Sequence, residues 1–484
     1  MTWAHKQKPT QTPNILAMET SVTDRVYEAD GGNEELKAKF FSNLKSLIPP
    51  KEDGEDTFQD NPRAGDNIMV FAEDFDHALV KFASEHQLIN DKNIDFSDTE
   101  KLTALAEKAS IALFGNYTLE AGGSLANTFD AMVHSRINDK PLINGTFITA
   151  VGEGEPAQVF LDSLEGHVAA AQGQHRHMAA HVVPMGKDRI IVATPSLTND
   201  SSQKLTADLL TSEHLNANTD MVMLGGYMMY TTHGKEVFNH ALERIEALNE
   251  ERKEQGKPSI KLVLTAAAHP IAENPDFIDI FKRATKTTDV IVHANTGEFR
   301  RLHSNDDAWR KPHNTKWDGM TSHEEEDAKK ADQAYQEDKQ AANDDTIENF
   351  AVPMAQNSKH KLSFVVTNGS KSTYHINDEG YRRIDTDKLD KKHIVNTVGA
   401  GDSFAAGWEL GEALNLKTNP KLVLASTFAR TAIQQDKARL NANEEQSFDT
   451  TGKSLKAQGA IATLDNSSQN REILQSMQPK QRAL

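Results

Sequence analysis

The chain has 484 residues, enough for one large α/β domain with additions or for two domains. Its formal charge of −18 argues against binding nucleic-acid polymers, because phosphate backbones need clustered Lys and Arg, although a single nucleotide site is compatible with it. There is no cysteine, which excludes disulfides and thiolate metal sites and fits a reducing compartment. The first residues, MTWAHKQKPTQTPNILAMET, lack the apolar run of a signal peptide, and no stretch approaches the ~20 apolar residues of a membrane helix. The expectation is a soluble, cytoplasmic protein with no membrane partner.

In chain order, residues 13–29 (PNILAMETSVTDRVYEA) start apolar and then alternate, as a first strand does, with Asp24 near its C-terminal end. Residues 30–66 are rich in glycine, lysine and acids and contain a Pro-Pro pair, which predicts a surface insertion or a helix plus loop. NIMVFAEDFDHALVKFASEHQL and DTEKLTALAEKASIAL are amphipathic at helical spacing. GTFITAVGEGEPAQVFLDSLEG then reads strand, turn, helix, and DRIIVATPSL is another strand. TDMVMLGGYMMY, IKLVLTAAAHP, TDVIVHANTGEF and LSFVVTNGSKSTYHI are short apolar runs that end in small or polar turns, with helical patterns between several of them. Apolar strands alternating with helices predict a mostly parallel sheet covered on both faces, with ligands beyond the C-terminal strand ends.

Residues 304–350 break that rhythm. SHEEEDAKKADQAYQEDKQAANDDTIEN is dominated by acids and is expected to be a solvated helical or partly disordered insertion. The tail 466–484 has no strong pattern.

Three motifs are decoys. VGEGEPA (151–157) follows a strand and opens a helix, but Glu153 and Glu155 would face a pyrophosphate and Pro156 removes an amide. NGSKST (368–373) lacks the spacing of a P-loop. HRHMAAH (175–181) places two histidines on one side of a strand with no convincing third ligand, and a polar strand or loop is the better reading.

HIVNTVGAGDSFAAGWELGEAL (393–414) carries the chemistry. After an extended segment, Gly399-Ala400-Gly401-Asp402 leads into a helical pattern. The glycines allow a tight turn and close backbone approach of a ligand, and the first amides of the helix favour an anion. Asp402 at this edge is either a general base that takes a hydroxyl proton during phosphoryl transfer or a simple helix cap.

Four stretches together resemble the PfkB/ribokinase family of carbohydrate and nucleoside kinases. NTVGAGDSFAAGW is similar to its D-T-x-G-A-G-D signature, AGGSLANTFDAM (121–132) to its glycine pair followed by Asn, HANTGEF (293–299) to its N-x-x-E motif, and VVTNGSKST (365–373) to its T-x-G-x-x-G turn. They occur in family order across residues 13–465. The resemblance implies a three-layer α/β/α ribokinase-like fold with a mostly parallel central sheet and a small β lid. It also implies Asp402 as catalytic base, with Gly399, Ala400 and Gly401 forming an anion hole. Asn295 and Glu298 would lie near the phosphates of ATP, Glu298 holding Mg2+ through water. Thr367 and Gly369 would lie beside the nucleotide, while Asp24, Gly122, Gly123 and Asn127 would line the acceptor pocket.

The chain departs from the family pattern in several places. Asn396 replaces the first Asp of the signature, which puts monovalent-cation dependence in question. Ser372 replaces the last glycine of the nucleotide-side turn, VGEGEPA replaces VGxDxxG, and METSVTD replaces the expected Gly-Asn before the sugar-binding Asp. The resemblance favours the adenosine kinase and related sugar kinase branch over the phosphofructokinase branch. It implies an ATP-dependent kinase of a primary hydroxyl on a sugar or nucleoside, with a homodimer left open. A kinase of a phosphorylated sugar, or a binding protein on a kinase scaffold that uses the acidic insertion, are the alternatives.

Overall fold

The computed structural model describes residues 12–48, 67–90, 94–137, 140–164, 166–186, 188–195, 204–231, 233–266, 269–303, 343–385, 393–395, 397–434 and 446–448. The chain opens with β1 (Asn14–Met18), β2 (Thr23–Tyr27), α1 (Glu34–Leu47), β3 (Asn67–Met69), α2 (Ala72–Glu85) and α3 (Thr99–Phe114). Next come β4 (Tyr117–Ala121), α4 (Ser124–Val133), β5 (Ser135–Ile137), β6 (Lys140–Pro141), β7 (Asn144–Glu153) and α5 (Glu155–Ser163). The strands β8 (Val168–Arg176), β9 (Ala179–Met185), β10 (Asp188–Thr194) and β11 (Met221–Gly225) follow, then α6 (Gly234–Glu254), β12 (Lys261–Thr265), α7 (His269–Glu273) and α8 (Pro275–Thr287). The C-terminal third contains β13 (Asp289–Asn295), α9 (Thr296–His303), α10 (Val352–Asn357), β14 (Leu362–Asn368), β15 (Ser372–Asn377), β16 (Gly380–Asp385), α11 (Ala400–Ala413) and α12 (Thr418–Ala432).

Apolar runs such as NILAM, MVMLG and KLVLT form the central strands because both faces of this sheet are covered. Its order is β16-β15-β14-β13-β12-β11-β1-β7-β8. Every pairing from β8 to β14 is parallel, and the β14–β15–β16 edge is antiparallel. One face packs its odd-numbered residues, including Ile15, Met223, Val263 and Ile291, under α4, α5, α11 and α12. The other buries Leu16, Leu224, Leu262 and Val290 under α6 and α8. No helix among the described residues is long and apolar enough to cross a membrane.

A second sheet, ordered β3-β10-β9-β2-β4, forms a lid. Residues 13–29 are therefore two strands in two sheets rather than one strand, and Asp24 sits near the start of β2, not at the end of β1. Glu19–Val22 make the passage between the sheets. The lid adds helices to its β layer. In α1 the residues Phe40, Phe41 and Leu44 are fully buried against Phe75, Phe82 and Phe114 of α2 and α3. The stretch expected as a surface insertion at 30–66 thus begins with a helix of the lid core, and 49–66 lie outside the described residues. The acidic segment 304–350 lies outside them up to 342. From 343 the chain is helical and packs Ile347 and Ala351 into the main core. The tail 466–484 also lies outside the described residues.

The last two helices meet through a missing side chain. A Cβ on Gly407 of α11 would lie 2.6 Å from the Ala425 Cα of α12. Gly407→Val is therefore expected to separate these helices and cost about 1–3 kcal/mol or more, read as a lower melting temperature. An unchanged melting temperature would contradict this packing.

Candidate active site

The polar turns after the parallel strands converge where the lid meets the main sheet, as expected for an open α/β sheet. They enclose a cavity of about 290 Å³. Its lining includes Asp24, Gly123, Asn127, Asn295, Glu298, Thr367, Gly399, Gly401 and Asp402, so residues far apart in sequence come together. Ala400 opens α11 between two lining glycines. Gly122 lies beside the wall, where a Cβ would overlap the Asp24 carboxylate. Gly369, on the β14–β15 turn, is outside the lining. Asn396 is outside the described residues, so the structure does not bear on the monovalent-cation expectation.

Gly399 caps α11 in the left-handed region (φ 73°), a conformation that favours glycine. The segment before it, expected to be extended, contains no strand among its described residues. It is held by the Val395 amide donating to Ile433 O, with Val395 61% exposed.

Asp402, in the first turn of α11, is held from α4. Ser124 Oγ donates to its Oδ1 (2.6 Å) and Asn127 Nδ2 to its Oδ2 (3.0 Å). Thr128 Oγ1 also donates to the Asp402 carbonyl (3.1 Å). The amide of Asn127, expected to face the acceptor, is thus engaged on the candidate base. The two helices carrying these groups pack closely, which fixes the carboxylate between two helix N-termini.

Asn295 and Glu298 cap α9 reciprocally. Asn295 Oδ1 accepts from the amides of Gly297 (2.8 Å) and Glu298 (3.0 Å), while Glu298 Oε2 accepts from the Asn295 amide (2.9 Å). An N-x-x-E spacing is the one a capping box requires, so these contacts have a structural use of their own. Burial first, then the Asp402 charge, pushes the Glu298 carboxyl up to about 7.

Sequence reading missed Glu19, Ser124, Arg189 and His293. Glu19 follows β1 directly and is fully buried, and Leu125 N donates to its Oε2 (2.9 Å). Its Oε1 lies over Gly225, where a Cβ would overlap it. Burial, and then the charge of Asp402, push Glu19 up to about 8. Arg189 reaches from lid strand β10 to Thr397 Oγ1 (3.2 Å), linking the lid to the turn before α11. The polar strand end METS and the lone Arg of GKDRIIVATPS were the available signals. Neither reveals a partner across the cavity.

Of the histidines of 175–181, His177 and His181 each bond to a different part of the chain. His181 is buried, with its Nδ1 2.8 Å from Tyr27 OH, and His177 Nδ1 accepts from Gly152 N (3.3 Å). Among the described residues no group of three His, Cys, Asp or Glu side chains could hold a metal ion.

Residues 312–445 match the profile of the pfkB family carbohydrate kinase. The main sheet and lid are similar to those of adenosine kinase from Schistosoma mansoni in complex with 2-fluoroadenosine. Identity is 12%, coverage 88% of this chain and 97% of that one, and the TM-score 0.56. The fold is ribokinase-like. Adenosine kinase from Sinorhizobium meliloti is similar at 13% identity, with 94% and 98% of the chains covered and a TM-score of 0.54. Adenosine kinase from Anopheles gambiae, in complex with P1,P4-di(adenosine-5) tetraphosphate, is similar at 15% identity, 90% and 98% coverage and a TM-score of 0.54. No curated protein sequence matches this chain significantly. The profile match spans two of the four motifs, VVTNGSKST and NTVGAGDSFAAGW, and the low identities to the adenosine kinases speak for the fold alone.

Proposed function

We propose that the protein transfers the γ-phosphoryl group of ATP to a primary hydroxyl of a sugar or nucleoside. The observation that carries this reading is the Asp402 carboxylate, held by Ser124 and Asn127 at the glycine-lined N-terminus of α11, inside a cavity that the lid covers. The match to a carbohydrate kinase profile supports it.

Asp402 removes the acceptor proton as the hydroxyl attacks. The amides of Gly399 and Gly401, at the N-terminus of α11, face the charge that moves during transfer and need no reorganisation to stabilise it. Asn295, Glu298 and Thr367 stand on the nucleotide side, and Asp24 and the Gly122–Gly123 turn on the acceptor side. Closure of the lid excludes water, which suppresses hydrolysis of ATP, and Arg189 ties the lid to the α11 turn. Glu298 fits a magnesium site held through water: it is a hard oxygen donor, and the neighbouring Asp402 charge makes a divalent cation favourable there. Such an ion would neutralise phosphate charge when bound.

The lid wall suggests the acceptor class. Val22, Met178, Ala180 and Ala193 form an apolar cluster that lines the cavity, which suits a flat apolar group such as a nucleobase better than a bare sugar. Arg189 is the one Arg or Lys among the described lining residues, and Asp24, Glu298 and Asp402 stand against it, so a phosphorylated acceptor is poorly matched. With magnesium-ATP and a panel of nucleosides, sugars and sugar phosphates, ADP release is expected with an uncharged acceptor, nucleosides first. Turnover with sugar phosphates alone would overturn the acceptor assignment. No acceptor-dependent turnover would overturn the kinase reading.

A further inference from the structure

One polar pair on the cavity floor has no part in the roles above. His293 of β13 lines the cavity, and its Nε2 is hydrogen-bonded to Oε1 of Glu409 of α11, which is completely buried. The positions follow from strand and helix periodicity. His293 lies two residues before Asn295 and so on the same face of the sheet, in register with Thr265 and Val365. One row further along the strands, Asn295 pairs with Thr367, and all five of these residues line the cavity. Glu409 follows Asp402 by two helical turns on the helix that covers this face. The space between Asp402, Asn295 and the first amides of α11 is therefore floored by His293.

The pair is costly as packing alone. Deeper rows of the same face are apolar, with Val263, Ile291 and Met223, and apolar residues commonly replace buried ion pairs without loss of stability. Glu409 Oε2 has no hydrogen-bond partner, and burial pushes this carboxyl above its ordinary value, with His293 opposing the shift. The second ring nitrogen of His293 makes no hydrogen bond to another described residue. Three carboxylates line the cavity, and on the sheet side His293 is the one described lining residue with an imidazole to offer as a donor.

We infer that His293, oriented by Glu409, donates a hydrogen bond to the terminal phosphoryl group of the bound nucleotide. This rests on the kinase reading. Glu409 is then a positioning residue that acts through the imidazole.

The test is calorimetric binding of a magnesium-bound non-hydrolysable ATP analogue and of magnesium-ADP to the full chain. His293→Leu is expected to weaken the triphosphate analogue by about tenfold to hundredfold, the worth of one charge-assisted hydrogen bond, and to change ADP affinity by less than about twofold. Glu409→Gln gives a smaller loss with the same selectivity. The double variant His293→Leu/Glu409→Leu keeps an apolar filling at the site, so it is expected to fold and to show the full selective loss even if a single variant does not fold. Equal loss for both nucleotides, or no loss in the double variant, would make the pair core packing and overturn the inference while the kinase reading survives. Wild-type protein that binds neither nucleotide would overturn both.

Discussion

Asp402→Asn is expected to lower kcat by about 10²–10⁴-fold while changing magnesium-ATP affinity by no more than about threefold. The substitution keeps the size of the side chain but removes the proton acceptor. It also turns one end of the group into a donor facing Ser124 Oγ or Asn127 Nδ2, both of which donate to the carboxylate in the native site. The glycine turn and its amides stay in place, so the nucleotide should still bind. Steady-state rates and calorimetry on the same preparations separate the two effects. A variant that keeps a large part of the wild-type rate would make Asp402 a helix cap and not a base.

Glu19→Gln is expected to stabilise the protein above pH 8, by a few kcal/mol, and to leave it unchanged at low pH. Glu19 titrates at about 8 in the folded chain against an ordinary value of 4.5, because it is fully buried and lies near the Asp402 charge. The folded state therefore holds a proton that the unfolded state releases. Stability from this group is complete below the ordinary value, falls as pH rises and is fully lost above about 8. Glutamine cannot titrate and can still accept from Leu125 N, so the gain in melting temperature should grow between pH 5 and pH 8 and then level off. A gain that is the same at every pH would refute the buried-acid account.

The parallel sheet and the candidate base were legible because each depends on local pattern. Apolar strands such as MVMLG and KLVLT declare burial on both faces, and Gly399-Ala400-Gly401-Asp402 before an amphipathic run declares a glycine-capped helix start. The lid was harder. Residues 13–29 read as one strand because the passage Glu19–Val22 contains no Gly or Pro, and nothing local shows the chain leaving one sheet for another. The α1 stretch looked superficial because it is rich in Lys and Glu. Its Phe40, Phe41 and Leu44 nonetheless form a buried stripe, and even Lys37 is buried, its amine paired with Glu34. The partners of Asp402 could not be read at all, since Ser124 and Asn127 lie 278 and 275 residues before it. The same holds for His293 and Glu409, 116 residues apart. Asn295 and Glu298 show the converse: their spacing was legible, and it serves as a helix cap whether or not it also serves a nucleotide.

The most direct test of the central claim is transfer of the γ-phosphoryl group from labelled ATP to the best acceptor, followed in wild-type protein and in Asp402→Asn side by side. The account predicts a phosphorylated primary hydroxyl with the wild type and its near-complete loss in the variant, with both binding magnesium-ATP. Equal product from both proteins, or no phosphorylated acceptor from either, would contradict it.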